Sequence, residues 1–364
     1  MIIQDVLNHL ETLAPLHYAE DFDNVGLLVG QKTTELTGIL VTLDTTESVI
    51  EEAIDAQCNL VVSFHPIIFK GLKKLNGTTY VERVVMKAIQ HDIAIYCMHT
   101  ALDNASQGVN AMICNKLNLI DRHVLIPQSG TIKKLTTYVP VEEADALRTA
   151  LFEAGAGHIG NYKDCSFNVE GYGTYKGNEQ SNPTKGIRGS LHTESETKIT
   201  VVFPKHLESN ILKTLFHTHS YEEVAYEIFT LDNVNQHIGM GMIGSLESPL
   251  SETEFLSYLK QTMKADGIRH TALLGKPIKK VAVLGGSGSF AIQAAKKAGV
   301  DAFVTADLKY HDFFTAENKI LLVDVGHYES EQFTKNLLVA HLTKKITNFA
   351  VILSNTNTNP IKYF

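Results

Sequence analysis

The chain lacks a long apolar run, a paired-cysteine motif and an excess of basic charge. No stretch approaches the ~20 consecutive apolar residues of a membrane-spanning helix, which excludes that class. The opening Met1-Ile-Ile-Gln-Asp-Val-Leu7 carries an early acid and neither a basic lead nor a long apolar core, so it does not read as a signal peptide. Cys58, Cys97, Cys114 and Cys165 are scattered without a C-x-x-C pair. That pattern suits reduced thiols in a cytoplasmic protein and no disulfide framework. A net charge of -8 argues against a general nucleic-acid binder, which needs basic surface to neutralise phosphates. Lys70, Lys73 and Lys74 read as a solvated loop.

What the chain does have is length and histidine. Its 364 residues exceed one core, so two or three domains are expected, and it holds sixteen histidines. Position decides which of them matter. In Asn59-Leu-Val-Val-Ser-Phe-His-Pro66 a short apolar run forms a strand buried on both faces and stops at His65-Pro66. Open α/β sheets place ligands at such strand ends.

Strand and helix patterns alternate through residues 1–125, the expected first α/β lobe with a mostly parallel sheet. Apolar residues recur at helical spacing from Ile2 to Leu13. Thr46 caps an expected helix from Glu47, and another runs near Val81 to Gln90. The strand Ile93 to Cys97 ends at His99-Thr-Ala-Leu-Asp103. Ile126 to Gly130 reads as a linker. Residues 131–235 then give strand, helix, two strands, helix and strand, a ferredoxin-like α+β order. The two middle strands are expected on either side of a glycine-rich Gly171 to Gly189 region. Residues 236–364 return to the first pattern as a second, related α/β lobe. Strands there end at Asp307 and at Gly326-His-Tyr-Glu-Ser-Glu331.

His99-x-x-x-Asp103 and His327-x-x-x-Glu331 each place an imidazole and a carboxylate one helical turn apart. With His65 they form a mixed nitrogen and oxygen set suited to zinc, iron or manganese rather than calcium. A lone histidine at a strand end is also an ordinary hydrogen-bonding cap, so both readings stand on pattern alone. Gly286-x-Gly288-x-x-Ala291 is either an anion-holding loop or a tight turn. Asp307, Lys309 and His311 offer acid, base or anion contacts, or form a solvated loop. His217 and His219 make an H-x-H pair that reads more simply as surface.

Asp23-Asn-Val-Gly-Leu-Leu-Val-Gly30, Ser63-Phe-His-Pro-Ile-Ile-Phe69, His99 to Asp103 and Gly326 to Glu331 together resemble the GTP cyclohydrolase 1 type 2 homologue family, the dinuclear-metal, NIF3-like proteins. The resemblance extends over the whole chain and includes an inserted module similar to the PII/CutA-type domain of the family's long members. It implies that His65, Asp103, His327 and Glu331 hold two divalent ions. It also implies a ring-like homohexamer. One departure stands out: the family usually has His-His-Pro, and this chain has Phe64-His65-Pro66, which removes a ligand from one ion. His99 is a substitute ligand or a strand-end residue. The expected function is a metal-dependent hydrolase of a nucleotide or related heterocycle acting through metal-activated water, with Glu331, Lys309 and His311 as catalytic groups. The alternative is a metal-binding, ring-forming regulatory or assembly protein without turnover.

Overall fold

A computed structural model describes all of residues 1–364. The chain divides into two compact units, Met1–Pro127 with Gln236–Phe364, and Gln128–Asn235. In chain order the first unit begins with α1 (Ile3–Leu13), β1 (Gly26–Val29), β2 (Ile39–Thr42) and α2 (Glu47–Asp55). It continues with β3 (Leu60–Ser63), α3 (Tyr80–Gln90), β4 (Ala94–Cys97), α4 (His99–Asn104), α5 (Val109–Lys116) and β5 (Ile120–Gln128). The Thr46 hydroxyl accepts the Val49 amide and caps α2, as its place before an apolar-periodic run predicts. All four residues of β3 are buried, which is why Leu60, Val61 and Val62 carry no polar face.

The second unit runs β6 (Ile132–Pro140), α6 (Ala144–Glu153), β7 (Ser166–Tyr175), β8 (His192–Pro204), α7 (Glu208–Thr218) and β9 (Tyr226–Leu231). Its sheet order is β7-β8-β6-β9 and every pairing is antiparallel. Leu135, Val139, Ile199, Val201 and Phe203 of the sheet pack with Leu147, Leu151, Ile211 and Leu215 of the two helices in a core of its own. Gly171 and Gly173 lie inside β7 rather than in the connection after it. A Cβ at Gly173 would meet the Glu196 carboxylate at 2.0 Å, so a strand position takes glycine for lack of room. The last strand starts at Tyr226, after an irregular stretch at 221–225.

The chain then returns to the first unit through β10 (Asn235–Leu250), α8 (Glu252–Met263), β11 (Arg269–His270), β12 (Ile278–Ser287) and α9 (Ile292–Lys297). It ends with β13 (Ala302–Ala306), β14 (Leu321–Asp324), α10 (His327–Glu331), α11 (Thr334–Lys345) and β15 (Val351–Leu353). Two sheets result, ordered β1-β4-β3-β2-β15 and β11-β14-β13-β12-β10-β5. In the first, only β1 is antiparallel to its neighbour. The second has three parallel strands, β12, β13 and β14, with β10 and β11 antiparallel beside them, so it is more mixed than alternating strands and helices imply.

The lobes exchange edge strands. β15, from the end of the chain, completes the first sheet beside β2, and β5, from the first lobe, completes the second. The segment 126–128 is therefore the end of a strand rather than a linker. Alternating residues sort the cores. Leu60 and Val62 share one cluster with Val281, Val304 and Val323 of the second sheet, whereas Val61 faces Val49 and Val84 and Ala282 faces Ala291 and Ala295. One continuous core thus ties the two lobes together.

Candidate metal centre

The carboxyl ends of the parallel strands supply the site. β3 delivers His65, β2 delivers Asp44, β13 delivers Asp307, and α10 after β14 carries His327 and Glu331 on one face. The Nε2 atom of His65 lies 3.0 Å from Glu331 Oε2, and that of His327 lies 3.1 Å from the same oxygen. The two Nε2 atoms are 3.4 Å apart. One ligand atom each from His65, His327 and Glu331 therefore falls within 4.8 Å of the others, in the one such group the chain contains.

Each imidazole is clamped from behind. His65 Nδ1 donates to Asp44 Oδ1 at 2.7 Å, and His327 Nδ1 donates to Asp307 Oδ2 at 2.7 Å. An ionised carboxylate only accepts, so a proton sits on Nδ1 of each ring and Nε2 is the atom turned toward Glu331. The aspartates are held in turn: Thr358 Oγ1 donates to Asp44 Oδ2 and Ser287 Oγ to Asp307 Oδ2, both at 2.5 Å. Carboxylates behind ligating histidines are the usual support of a metal site. The Glu331 side chain is only 3% exposed, and its Oε2 makes no well-directed hydrogen bond despite the two nearby nitrogens. A buried acceptor left in that state between two imidazole Nε2 atoms suits a cation.

The electrostatics agree. Burial opposes charge on both histidines, yet Glu331 and Asp44 push His65 up to about 9. Asp307 and Glu331 likewise push His327 up to about 11. Burial would raise Glu331, but the two imidazoles hold it at about 2. Asp103 goes the other way, pushed well above the carboxylate range by burial and then by Glu331. With no ion bound, the two imidazoles themselves take up the positive charge that the carboxyls call for, and a divalent ion would replace their Nε2 protons.

The structure joins some of the expected residues and separates others. Asp103 lies outside the close group, but its Oδ1 is buried with no partner, and Glu331 is its strongest charged neighbour. His99 also lies outside, with its ring 5.5 Å from that of His65. It repeats the same support, its Nδ1 bonded to Asp23 Oδ1 at 2.8 Å. His99 takes a φ of 25°, a conformation costly for a side chain with a Cβ. Its amide bonds the Phe64 carbonyl at 2.9 Å. Phe64 itself is fully buried in the shared core, its ring 4.9 Å from that of His65. Lys309 and His311 are exposed on the turn after β13, with the His311 ring against Tyr310 and Phe314, and neither joins the converging atoms.

The glycine loop is a packing device. The amide of Gly285 donates to Asn110 Oδ1 at 3.1 Å and that of Gly286 to Ser330 Oγ at 2.9 Å, leaving neither for an anion. Gly286 has a φ of 66°, and a Cβ there would stand 2.5 Å from Glu331 Oε1. Glycine lets β12 press directly on the buried carboxylate. Asn110 reaches the other way too, donating to the Asp103 carbonyl at 3.1 Å, and so bridges the halves of the site. His219 uses both ring nitrogens, on the Tyr138 carbonyl and the Tyr221 amide, which removes the H-x-H pair as a metal site.

A model of the family described as Duf34/NIF3 (NGG1p interacting factor 3) matches residues 1–360. The chain belongs to the Duf34/NIF3 family. Among family members, a Bacillus subtilis protein named GTP cyclohydrolase 1 type 2 homolog is 35% identical, over 99% of this chain and 98% of its own. A Bacillus cereus protein described as related to NIF3 has a crystal structure that superposes with a TM-score of 0.88 at 34% identity, covering 100% of this chain and 99% of that one. The Staphylococcus aureus protein SA1388 superposes with a TM-score of 0.80 at 29% identity, with the same coverage. The Duf34/NIF3 resemblance read from the four motifs is thereby confirmed. No helix of the structure is long and apolar enough to cross a membrane.

Proposed function

We propose that the protein is a divalent-metal-dependent hydrolase, with His65, His327 and Glu331 as ligands and Asp103 completing the set for a second ion. The observation that supports this most is the pair of imidazoles, each fixed at Nδ1 by an aspartate, converging on one buried carboxylate oxygen. A divalent ion of the zinc, iron or manganese kind supplies Lewis acidity and an activated water at such a site. The chain's own residues do the rest. Asp44 and Asp307 keep both rings in the ligating tautomer, and the enclosed Glu331 carries the negative charge that attracts the ion. The exposed Lys309 and His311 stand after Asp307 in the chain, where we assign them to substrate: Lys309 to an anionic group and His311 to proton transfer. The substrate class we infer is a nucleotide or related heterocycle, since relatives carry the name GTP cyclohydrolase 1 type 2 homolog.

The test is metal content per chain by elemental analysis, beside His65→Ala and Glu331→Ala, followed by a nucleotide turnover screen. Bound metal lost in both variants, with turnover lost in parallel, supports the reading. Metal retained in Glu331→Ala overturns the ligand assignment, and metal-loaded protein without turnover leaves the non-catalytic alternative. One observation favours that alternative, a ring-forming homohexameric regulator: residues 128–235 fold as a unit with its own sheet and core. Solution mass and metal content of a chain lacking 128–235 separate the two, because an accessory unit is dispensable for turnover.

A further inference from the structure

The unit Gln128–Asn235 holds a cavity of about 660 Å³ formed wholly by its own residues. That volume suits a small organic molecule. Its walls are aromatic, with Tyr138, Tyr172, Tyr175 and Tyr221 among them. The Tyr175 and Tyr221 rings meet edge to face with centroids 5.9 Å apart. Four glutamates line the cavity against two lysines, so its charge is negative.

Glu196 is the informative residue. It is 9% exposed, lines the cavity and forms no ion pair. Its carboxylate lies over Gly173, where any larger residue would displace it. Beside it the Tyr221 hydroxyl is buried and close to the Glu196 carboxylate, without a well-directed hydrogen bond. Burial and then the neighbouring Glu196 push that phenol up, so it keeps its proton and remains a donor. The cation on the same strand, Lys198, does not neutralise Glu196; its ammonium instead sits over the Tyr138 ring, 5.9 Å from the centroid. That contact shows one wall of the cavity already facing a positive charge.

We propose that this cavity binds a small organic ammonium ion, quaternary or protonated, with the tyrosine faces around the cation and the Glu196 carboxylate as its counter-charge. Tyrosine faces attract cations through the ring quadrupole, and cages of them recognise ammonium groups. An inorganic metal is not served, because no group of three metal-ligating side chains converges here. An anion would face the four glutamates, and a neutral molecule would leave a nearly buried carboxylate uncompensated. This site is independent of the metal centre and of the reaction proposed for it.

The experiment is calorimetric titration of the full-length chain with choline, spermidine and 3,3-dimethyl-1-butanol, the uncharged counterpart of choline. Saturable binding of choline or spermidine, weakened about tenfold or more by Glu196→Gln, is expected. Choline binding alone identifies a quaternary ligand, and spermidine binding alone a protonated amine. The neutral alcohol should bind at least about tenfold more weakly than choline. Tyr172→Ala, at a side chain 81% exposed, should weaken binding without changing the melting temperature and stands in if Glu196→Gln misfolds. Equal binding of choline and the alcohol overturns the proposal, as does no binding of either cation.

Discussion

Replacing Asp23 by asparagine probes how the chain holds His99 at the edge of the candidate metal centre. The Asp23 side chain is fully enclosed and accepts three bonds, from His99 Nδ1 at 2.8 Å, the Thr100 amide at 3.0 Å and the Thr100 hydroxyl at 2.5 Å. Burial alone would raise its carboxyl, but these bonds hold it at about 2 against an ordinary 3.8. The difference corresponds to about 2 kcal/mol of stability at neutral pH. Asparagine keeps one acceptor and turns an amide toward the Thr100 donors, so a loss of about 2–3 kcal/mol is expected. The sign in acid follows from linkage. The folded value lies below the unfolded one, so the contribution is complete above about pH 4 and is lost as pH falls toward 2. Urea unfolding of both proteins, followed by circular dichroism at a series of pH values, should show a gap that narrows only in acid. A gap below about 0.5 kcal/mol at neutral pH, or one that stays constant into acid, would refute the reasoning.

Asp44→Asn and Asp307→Asn should each weaken metal binding about 10- to 100-fold while leaving the fold intact, measured by competition with a chelator. Gly286→Ala should destabilise the protein by about 1–3 kcal/mol and lower its metal content, because the new methyl meets Glu331 in a left-handed backbone. A melting curve and elemental analysis read both effects. Glu52, whose carboxylate accepts from Ser354, Asn355 and Thr356, is lowered by those bonds although burial opposes them. Its contribution is therefore present at neutral pH and lost in acid, and Glu52→Gln should speed proteolysis of the segment after β15 at pH 7 but not near pH 3.

The centre was legible where a short sequence pattern coincided with one element. His65 stands out because β3 is apolar on both faces and stops at a histidine, and His327 with Glu331 because a helical turn carries both. The supporting aspartates were harder to see. Asp44 and Asp307 end their strands as single acids, and nothing local separates a histidine support from a cap. Their roles depend on which strands neighbour one another, a property of topology. The edge strands were hidden for other reasons. β5 has an exposed, largely polar beginning, and β15 is only Val351–Leu353, too short for a period to register. The tyrosine cavity gathers residues from separate strands and a turn, so no window of sequence contains it.

The exchange of edge strands ties the candidate metal centre to residues 351–358. β15 pairs with β2, and Thr358 just beyond it supports Asp44, so residues far along the chain finish a sheet laid down by early ones. A product stopped before Val351 would show β2 as a bare edge and leave Asp44 without that hydroxyl, an invitation to aggregation and to a slack His65 at once. Synthesis from the amino terminus thus cannot assemble a competent centre early. His327 and Glu331 also come late, so the cluster closes only once residues through Thr358 are in place.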